Sequence, residues 1–191
     1  MTVRLDIIAQ GASSANRAVR FADDEGLENA VQTELPHIRA RLRRYDRVLS
    51  SPARAARETA VGLGFHAEVD DALRDCDYGR WRGLALMDVA AAEPDAFAAW
   101  LSDPAMAPPG GESISALVAR TDAWLDETLS RRGVVLAITH IAVVRAAVVS
   151  ALGAGASAFW RIDVAPLAMA RFSGHAGRWN LVTLGPAGTP P

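Results

Sequence analysis

The sequence contains no lysine: its twenty basic residues are all arginine. Together with the abundant alanine, this reads as a compositional bias of the coding sequence rather than as chemistry. Basic and acidic residues nearly balance, with a formal net charge of −2. That balance argues against a nucleic-acid binder, which needs a basic surface. There is one cysteine, Cys76, so an internal disulfide and any multi-cysteine metal site are excluded. Cys76 reads as a small, half-buried hydrophobe. No stretch is long and apolar enough to span a membrane, and the opening MTVRLD lacks a signal-peptide pattern. A cytoplasmic protein without cofactor, metal, nucleic-acid or membrane partner is the expectation. No internal repeat is visible.

What is present is a chain of 191 residues, half of them hydrophobic. That length suits a single domain over 1–191 with a sizeable core. The most informative stretch is GVVLAITHIAVVRAAVVSALG, residues 133–153. Val134 to Ile138 is an unbroken apolar run, the pattern of a strand buried on both faces. Ile141 to Leu152 shows helical spacing, and Gly153 is a plausible cap. His140 is thereby placed at the carboxyl edge of a sheet, where open α/β folds bind ligands. A lone histidine at a strand end is also commonly just a hydrogen-bonded residue, so spacing alone leaves both readings open.

Other elements follow in order. Val3 to Ala9 and Arg47 to Ser50 read as strands. Leu27 to Arg44 is helical, with a kink or break expected at Pro36. Ala53 to Leu63 is a helix, with Ser51 as candidate N-cap and Pro52 at its first position. His66 to Val69 suggests a further strand, and LRDCDYGRWRG at 73–83 a loop. Residues 84–130 form a helical excursion interrupted at Pro94 and at the Pro/Gly loop 104–111, which serves as a cap or flank. Arg161 to Arg171 and Arg178 to Leu184 suggest a terminal hairpin turning at Gly174 to Gly177. Pro186 to Pro191 reads as a loose tail. The alternation predicts an α/β three-layer sandwich, a mostly parallel central sheet with helices on both faces.

Four stretches, in this order, resemble the histidine phosphatase superfamily, with its phosphoglycerate mutase-like fold. They are SSPARAARETA at 50–60, LRDCDYGRWRG at 73–83, GGES at 110–113 and AITH at 137–140. The run FWRIDVAPLA fits a bacterial branch of that group. The family signature opens with Arg-His-Gly at the end of the first strand, the histidine being the phosphoryl acceptor. The matching positions here are Ala9, Gln10 and Gly11. The family's second phosphate-binding arginine falls on Ala55, and its catalytic glutamate on Asp75, one methylene shorter.

By this resemblance the catalytic positions are Gln10, Asp75 and His140, and the ligand-binding positions are Gly11, Ser13, Asn16 and Arg54. Arg54 and Arg57 flank the lost arginine: either one swings in, or both are solvated helix-surface residues. Arg80, Arg82 and Arg145 stand open in the same way. Each hydrogen bond to a charged group is worth about 1.5–3 kcal/mol, so two missing arginines weaken phosphate binding by roughly 3–6 kcal/mol. An engineered exchange at position 10 does not account for Ala9, Ala55 and Asp75, and a naturally degenerate member is the simpler reading.

The resemblance therefore implies a protein that has lost phosphohistidine chemistry and binds a small anionic or phosphorylated ligand. The alternative is a phosphohydrolase, or other enzyme, with remodelled chemistry: Asp75 as acid–base group, His140 stabilising charge and Gln10 positioning water. A scaffold using Phe159 and Trp160 for dimerisation has no other support in the sequence.

Overall fold

The computed structural model describes residues 3–189. Among these residues six strands form one sheet: β1 (Val3–Ala9), β2 (Arg47–Ser50), β3 (Glu68–Val69), β4 (Val134–Thr139), β5 (Ala168–His175) and β6 (Arg178–Pro186). Their spatial order is β3-β2-β4-β1-β5-β6. The first four positions in that order pair in parallel, while β5 and β6 add an antiparallel hairpin at the β1 edge.

Seven α-helices among the described residues flank the sheet: α1 (Ser14–Arg17), α2 (Asn29–Arg39), α3 (Arg54–Gly62), α4 (Leu86–Ala92), α5 (Pro94–Ser102), α6 (Ile114–Ser130) and α7 (Ile141–Ala151). Side chains alternate across a strand, so β1 feeds two cores. Leu5, Ile7 and Ala9 join the core that includes α6 and α7, while Ile8 joins the one that includes α2 and α3. This is the predicted three-layer α/β arrangement. No helix among the described residues is long and apolar enough to cross a membrane.

Several boundaries differ from the sequence reading, each for a local reason. Pro36 does lie inside α2, but the helix stops at Arg39 rather than Arg44. Beyond it, Arg43 and Tyr45 are drawn to Asp6, which is fully buried on β1. Arg43 Nε donates to Asp6 Oδ2 at 2.9 Å and the Tyr45 hydroxyl donates at 2.8 Å. A buried carboxylate needs such partners, and meeting that need bends the chain out of helix.

The expected strand Arg161–Arg171 begins only at Ala168. Residues 156–161 form a 3₁₀ turn, and Leu167 takes φ +59°, which breaks any extended run. The hairpin then turns at Ala176 and Gly177, φ +50° and +79°, the left-handed pair that a two-residue turn requires. β6 runs on to Pro186, so only part of the expected tail remains; Pro190 and Pro191 lie outside the described residues.

Glu58 on α3 ties the segment before α2 to the fold. Its carboxylate accepts from the Leu27 N–H at 2.7 Å and from Arg54 Nε at 2.7 Å. The Leu27 bond first, and the arginine second, hold the Glu58 carboxyl below its ordinary value of 4.5. A lowered folded value means stabilisation that is full above pH 4.5 and is lost as pH falls through the folded value. Glu58→Ala is therefore expected to lower the melting temperature at pH 7. The gap from the parent protein should close as thermal unfolding is repeated at pH values falling below 4.5.

Candidate functional site

The site is assembled by three strand ends. β1 and β4 pair with Ala9 opposite Thr139, and β2 and β4 with Ser50 opposite Ile138. The ladder continues one residue further: the Gln10 N–H donates to the Thr139 carbonyl at 2.6 Å, and the Ser51 N–H to that of Ile138 at 2.9 Å. Gln10, Ser51 and His140 therefore leave the sheet side by side. His140 is itself the N-cap residue of α7, in extended conformation.

Asp75 arrives from the loop after Leu73. Two anchors set that loop. The Thr139 hydroxyl donates to the Leu73 carbonyl at 2.5 Å. Arg120, on α6, donates to the carbonyls of Ala72, Arg74 and Asp75 at 2.7, 3.1 and 3.2 Å. The same guanidinium pairs with Glu112 at 2.8 Å, and both side chains are 13% exposed. Trp124 adds an indole bond to Asp70 at 2.9 Å. The long helix thus holds the acid loop by its backbone.

Between these pieces His140, 5% exposed, is held at both ring nitrogens. Nδ1 lies 3.3 Å from Asp75 Oδ2, and Nε2 lies 2.9 Å from Ser51 Oγ. Asp75 can only accept, which assigns the proton to Nδ1. Ser51 Oγ also accepts from the Ala53 N–H at 3.2 Å, which leaves its own hydrogen for Nε2. Ser51 has no exposed surface. It does not cap α3, as the sequence suggested: that helix starts at Arg54 with Ala53 as N-cap.

The cleft at this edge has two lobes. The inner one, about 320 Å³, includes Gln10, Ser13, Asn16, Asp75 and His140 in its lining. The outer one, about 380 Å³, shares Gln10, Asp75 and His140. Asn16 Oδ1 accepts from the Ser13 N–H at 2.9 Å and from its hydroxyl at 3.1 Å, closing the start of α1.

The other two expected ligand residues do not join them. The Gly11 N–H donates to Thr59 Oγ1 at 3.0 Å, and a Cβ there would meet Val31 at 2.4 Å. This glycine serves the packing of α2. Arg54 bonds Glu58 and, with Arg57, lines a separate groove on the outer face of α3. Ala9 and Ala55, where the resemblance puts arginines, are 0% and 1% exposed.

Charge divides the lobes. The outer one is lined by Arg74 and Arg82 against Asp24, Glu25, Asp75 and Asp77. Arg82 is already paired with Asp77 at 3.2 Å. The inner one carries Arg20 and Arg145 against Asp75 alone, within walls of Phe21, Tyr78, Trp100, Phe159 and Trp160. Burial and the nearby Asp75 charge push the Tyr78 phenol well up, so it stays protonated. Burial draws Arg145 down from the usual arginine value. Among the described residues no cluster of His, Cys, Asp and Glu is arranged to hold a metal ion. A larger cavity, about 850 Å³, lies at the other end of the sheet between Arg4, Arg41, Arg43 and Arg171, and shares none of these residues.

Ser51, Arg120, Arg20 and Trp100 were not singled out as site residues in the sequence. Ser51 adjoins the strand-end motif, so its position was a usable signal. The other three reach the site from distant elements.

Comparison with known proteins shows the family and agrees with the fold. The model of the histidine phosphatase superfamily (branch 1) matches residues 11–186. The bifunctional protein Rv2228c of Mycobacterium tuberculosis is 33% identical over 133 residues, covering 65% of this chain and 36% of its own length. The chain thus spans about a third of that curated relative. Glucosyl-3-phosphoglycerate phosphatase of Mycolicibacterium vanbaalenii is 41% identical over 70 residues, 35% of this chain and 31% of that one. A mycobacterial glucosyl-3-phosphoglycerate phosphatase solved with VO3 superposes with a TM-score of 0.85 at 26% identity, covering 96% of this chain and 98% of that one.

Removing a partner from a buried ion pair costs about 3–5 kcal/mol. Arg120→Ala is expected to destabilise the protein by about that much in denaturant unfolding. Amide hydrogen exchange should rise most between Asp71 and Asp77, the loop whose carbonyls it releases.

Proposed function

Because the chain belongs to the histidine phosphatase superfamily, branch 1, we propose that it is a member that has lost phosphohistidine chemistry and acts as a ligand-binding or regulatory pseudoenzyme for a small anion. The observation that carries this reading is Gln10 at the end of β1, beside His140. An amide has no basic ring nitrogen and cannot take a phosphoryl group as imidazole does.

Its surroundings do not compensate. The two alanines at the arginine positions bring no charge. Arg54 faces away, paired with Glu58. In the outer lobe four carboxylates face two arginines, an environment that repels a phosphate dianion. Arginines outnumber carboxylates in the inner lobe, where Arg20 and Arg145 face Asp75, and this supports a small anion as ligand, as does the VO3 in a similar structure. Residues 84–130 act here as the flank of the cleft: α4 and α5 supply Leu86 and Trp100 to the inner lobe.

A second reading, a phosphohydrolase with remodelled chemistry, draws on one observation. Ser51, His140 and Asp75 stand in a row of the nucleophile–base–orienter kind, with a hydrogen bond from Ser51 to His140 and Asp75 3.3 Å from its other ring nitrogen. Ser51 is fully buried, however, so no substrate reaches its oxygen. His140 has both nitrogens engaged, so it offers no free acceptor for a water proton. The chain fixes a histidine in place more readily than it activates a nucleophile.

Losing a catalytic nucleophile costs on the order of 10⁴–10⁶ in rate. Turnover of simple phosphomonoesters at neutral pH is expected to be undetectable above a His140→Ala control. Robust hydrolysis abolished by His140→Ala would overturn the pseudoenzyme reading in favour of the second one.

A further inference from the structure

The cavity of about 850 Å³ at the far end of the sheet is lined by Arg4, Arg41, Arg43 and Arg171 and, among the described residues, by no acidic side chain. Strand register puts two of these arginines together. Between β1 and β5, Arg4 stands opposite Ser173 and Asp6 opposite Arg171. Residues opposite one another in an antiparallel pair share a face, and diagonal neighbours lie about 7–8 Å apart. Arg4 and Arg171 are therefore diagonal neighbours on one face of the sheet. Arg41 and Arg43 come to the same cavity from the segment after α2.

The acid that stands among them is already committed. Asp6 is fully buried. It binds Arg43 through both carboxylate oxygens and accepts from the Tyr45 hydroxyl as well. That pair neutralises one guanidinium. Among the described residues Arg4, Arg41 and Arg171 form no ion pair, so three guanidinium groups line one cavity without a counter-charge.

The cavity walls limit how far these groups can spread. The chain crosses the stem of Arg41 at Gly188, φ +82°, where a Cβ would lie 3.1 Å from Arg41 Cβ and 3.3 Å from its Cδ. Arg171 is half-buried on β5. Like charges held close repel, and more so where water is partly excluded. An anion in the cavity removes that repulsion. The guanidinium fork donates two parallel hydrogen bonds to a phosphate. The Ser173 hydroxyl also lines the cavity, as a neutral donor. Arginines based about 7–8 Å apart on neighbouring strands, with a third from beyond α2, match two linked phosphates better than one. A volume of about 850 Å³ lies at the large end of ligand sites and has room for such a group.

We propose that this cavity binds a diphosphate group, free or carried on a nucleoside, between Arg4, Arg41 and Arg171. The site shares no lining residue with either lobe of the cleft and does not depend on how the cleft is read.

Isothermal titration in metal-free buffer with pyrophosphate, ADP and orthophosphate tests the assignment. Pyrophosphate or ADP is expected to saturate with a Kd of about 0.1 mM or tighter, and orthophosphate to bind at least about tenfold more weakly. Tighter binding of ADP supports a nucleoside-borne diphosphate; pyrophosphate binding at least as tightly supports the free ion. Arg4→Gln and Arg41→Gln, both at exposed positions, should each weaken the ligand about tenfold with the near-ultraviolet dichroism unchanged. Arg145→Gln, in the inner lobe of the cleft, should leave the affinity as it is. Amide chemical-shift changes on titration should centre on Ser173, Val182 and Gly188. No saturable binding of pyrophosphate or ADP, equal binding of orthophosphate, or affinity unchanged in both Arg4→Gln and Arg41→Gln would overturn the proposal. So would shift changes confined to Gln10 and His140, which would place the anion in the cleft instead.

Discussion

The parallel pairing of β1, β4 and β2 is the constraint on which the rest of the structure depends. In-register parallel strands end together, and main-chain bonds from Gln10 and Ser51 carry the ladder one residue past the strands. Three side chains are therefore delivered to one edge before any of them interacts. His140 is then fixed by what stands beside it: Ser51 from the same edge, and Asp75 from a loop that Arg120 clamps by its carbonyls. Rigid backbone geometry and one largely buried guanidinium together place a partner beside each ring nitrogen of this histidine.

On that scaffold the charge has been redistributed. The end of β1 carries no cation: Ala9 is buried and Gln10 is an amide, and Ala55 on the neighbouring helix α3 is buried as well. The outer lobe is dominated by carboxylates, and the positive charge lies deeper, among aromatic rings. In a partly desolvated pocket the sign of the lining groups counts for more than in water, because the local dielectric is lower. The fold of the family is intact, and the proposed change of ligand rests on the charges that line its cleft. The chain of bonds from Ser51 through His140 to Asp75 fits this account as a structural device, since it consumes the acceptor that a hydrolytic water would need.

The sequence carried much of this. The unbroken run at 134–138 and the motif at its end placed His140 at a sheet edge. The short motifs also located Gln10, Asn16 and Asp75, because strand-to-loop junctions leave local signatures. Arg54 was assigned to the ligand by its nearness to the lost arginine. Its real partner, Glu58, is one helical turn away, and is itself held by the Leu27 N–H from a distant loop. Arg120 was invisible because its work is done on carbonyls more than forty residues earlier in the chain. The start of β5 was misread because Leu167 adopts a left-handed conformation that nothing in its apolar neighbourhood announces. Local pattern reports elements and their ends; long-range polar contacts have no periodicity to report them.

The central claim is that this cleft lacks both the phosphoryl acceptor and the cations that hold a phosphate in line. Positioning of that kind is worth up to roughly 7–11 kcal/mol in favourable cases. The direct measurement is single-turnover labelling from a small phosphate ester, read as acid-labile phosphoprotein, in Gln10→His and in the triple variant Ala9→Arg, Gln10→His, Ala55→Arg. Groups that act as a unit are not additive. The account predicts little labelling of the single variant and more from the triple than the single changes together supply. Strong labelling of Gln10→His alone would contradict it, because a complete phosphate grip would then already be present.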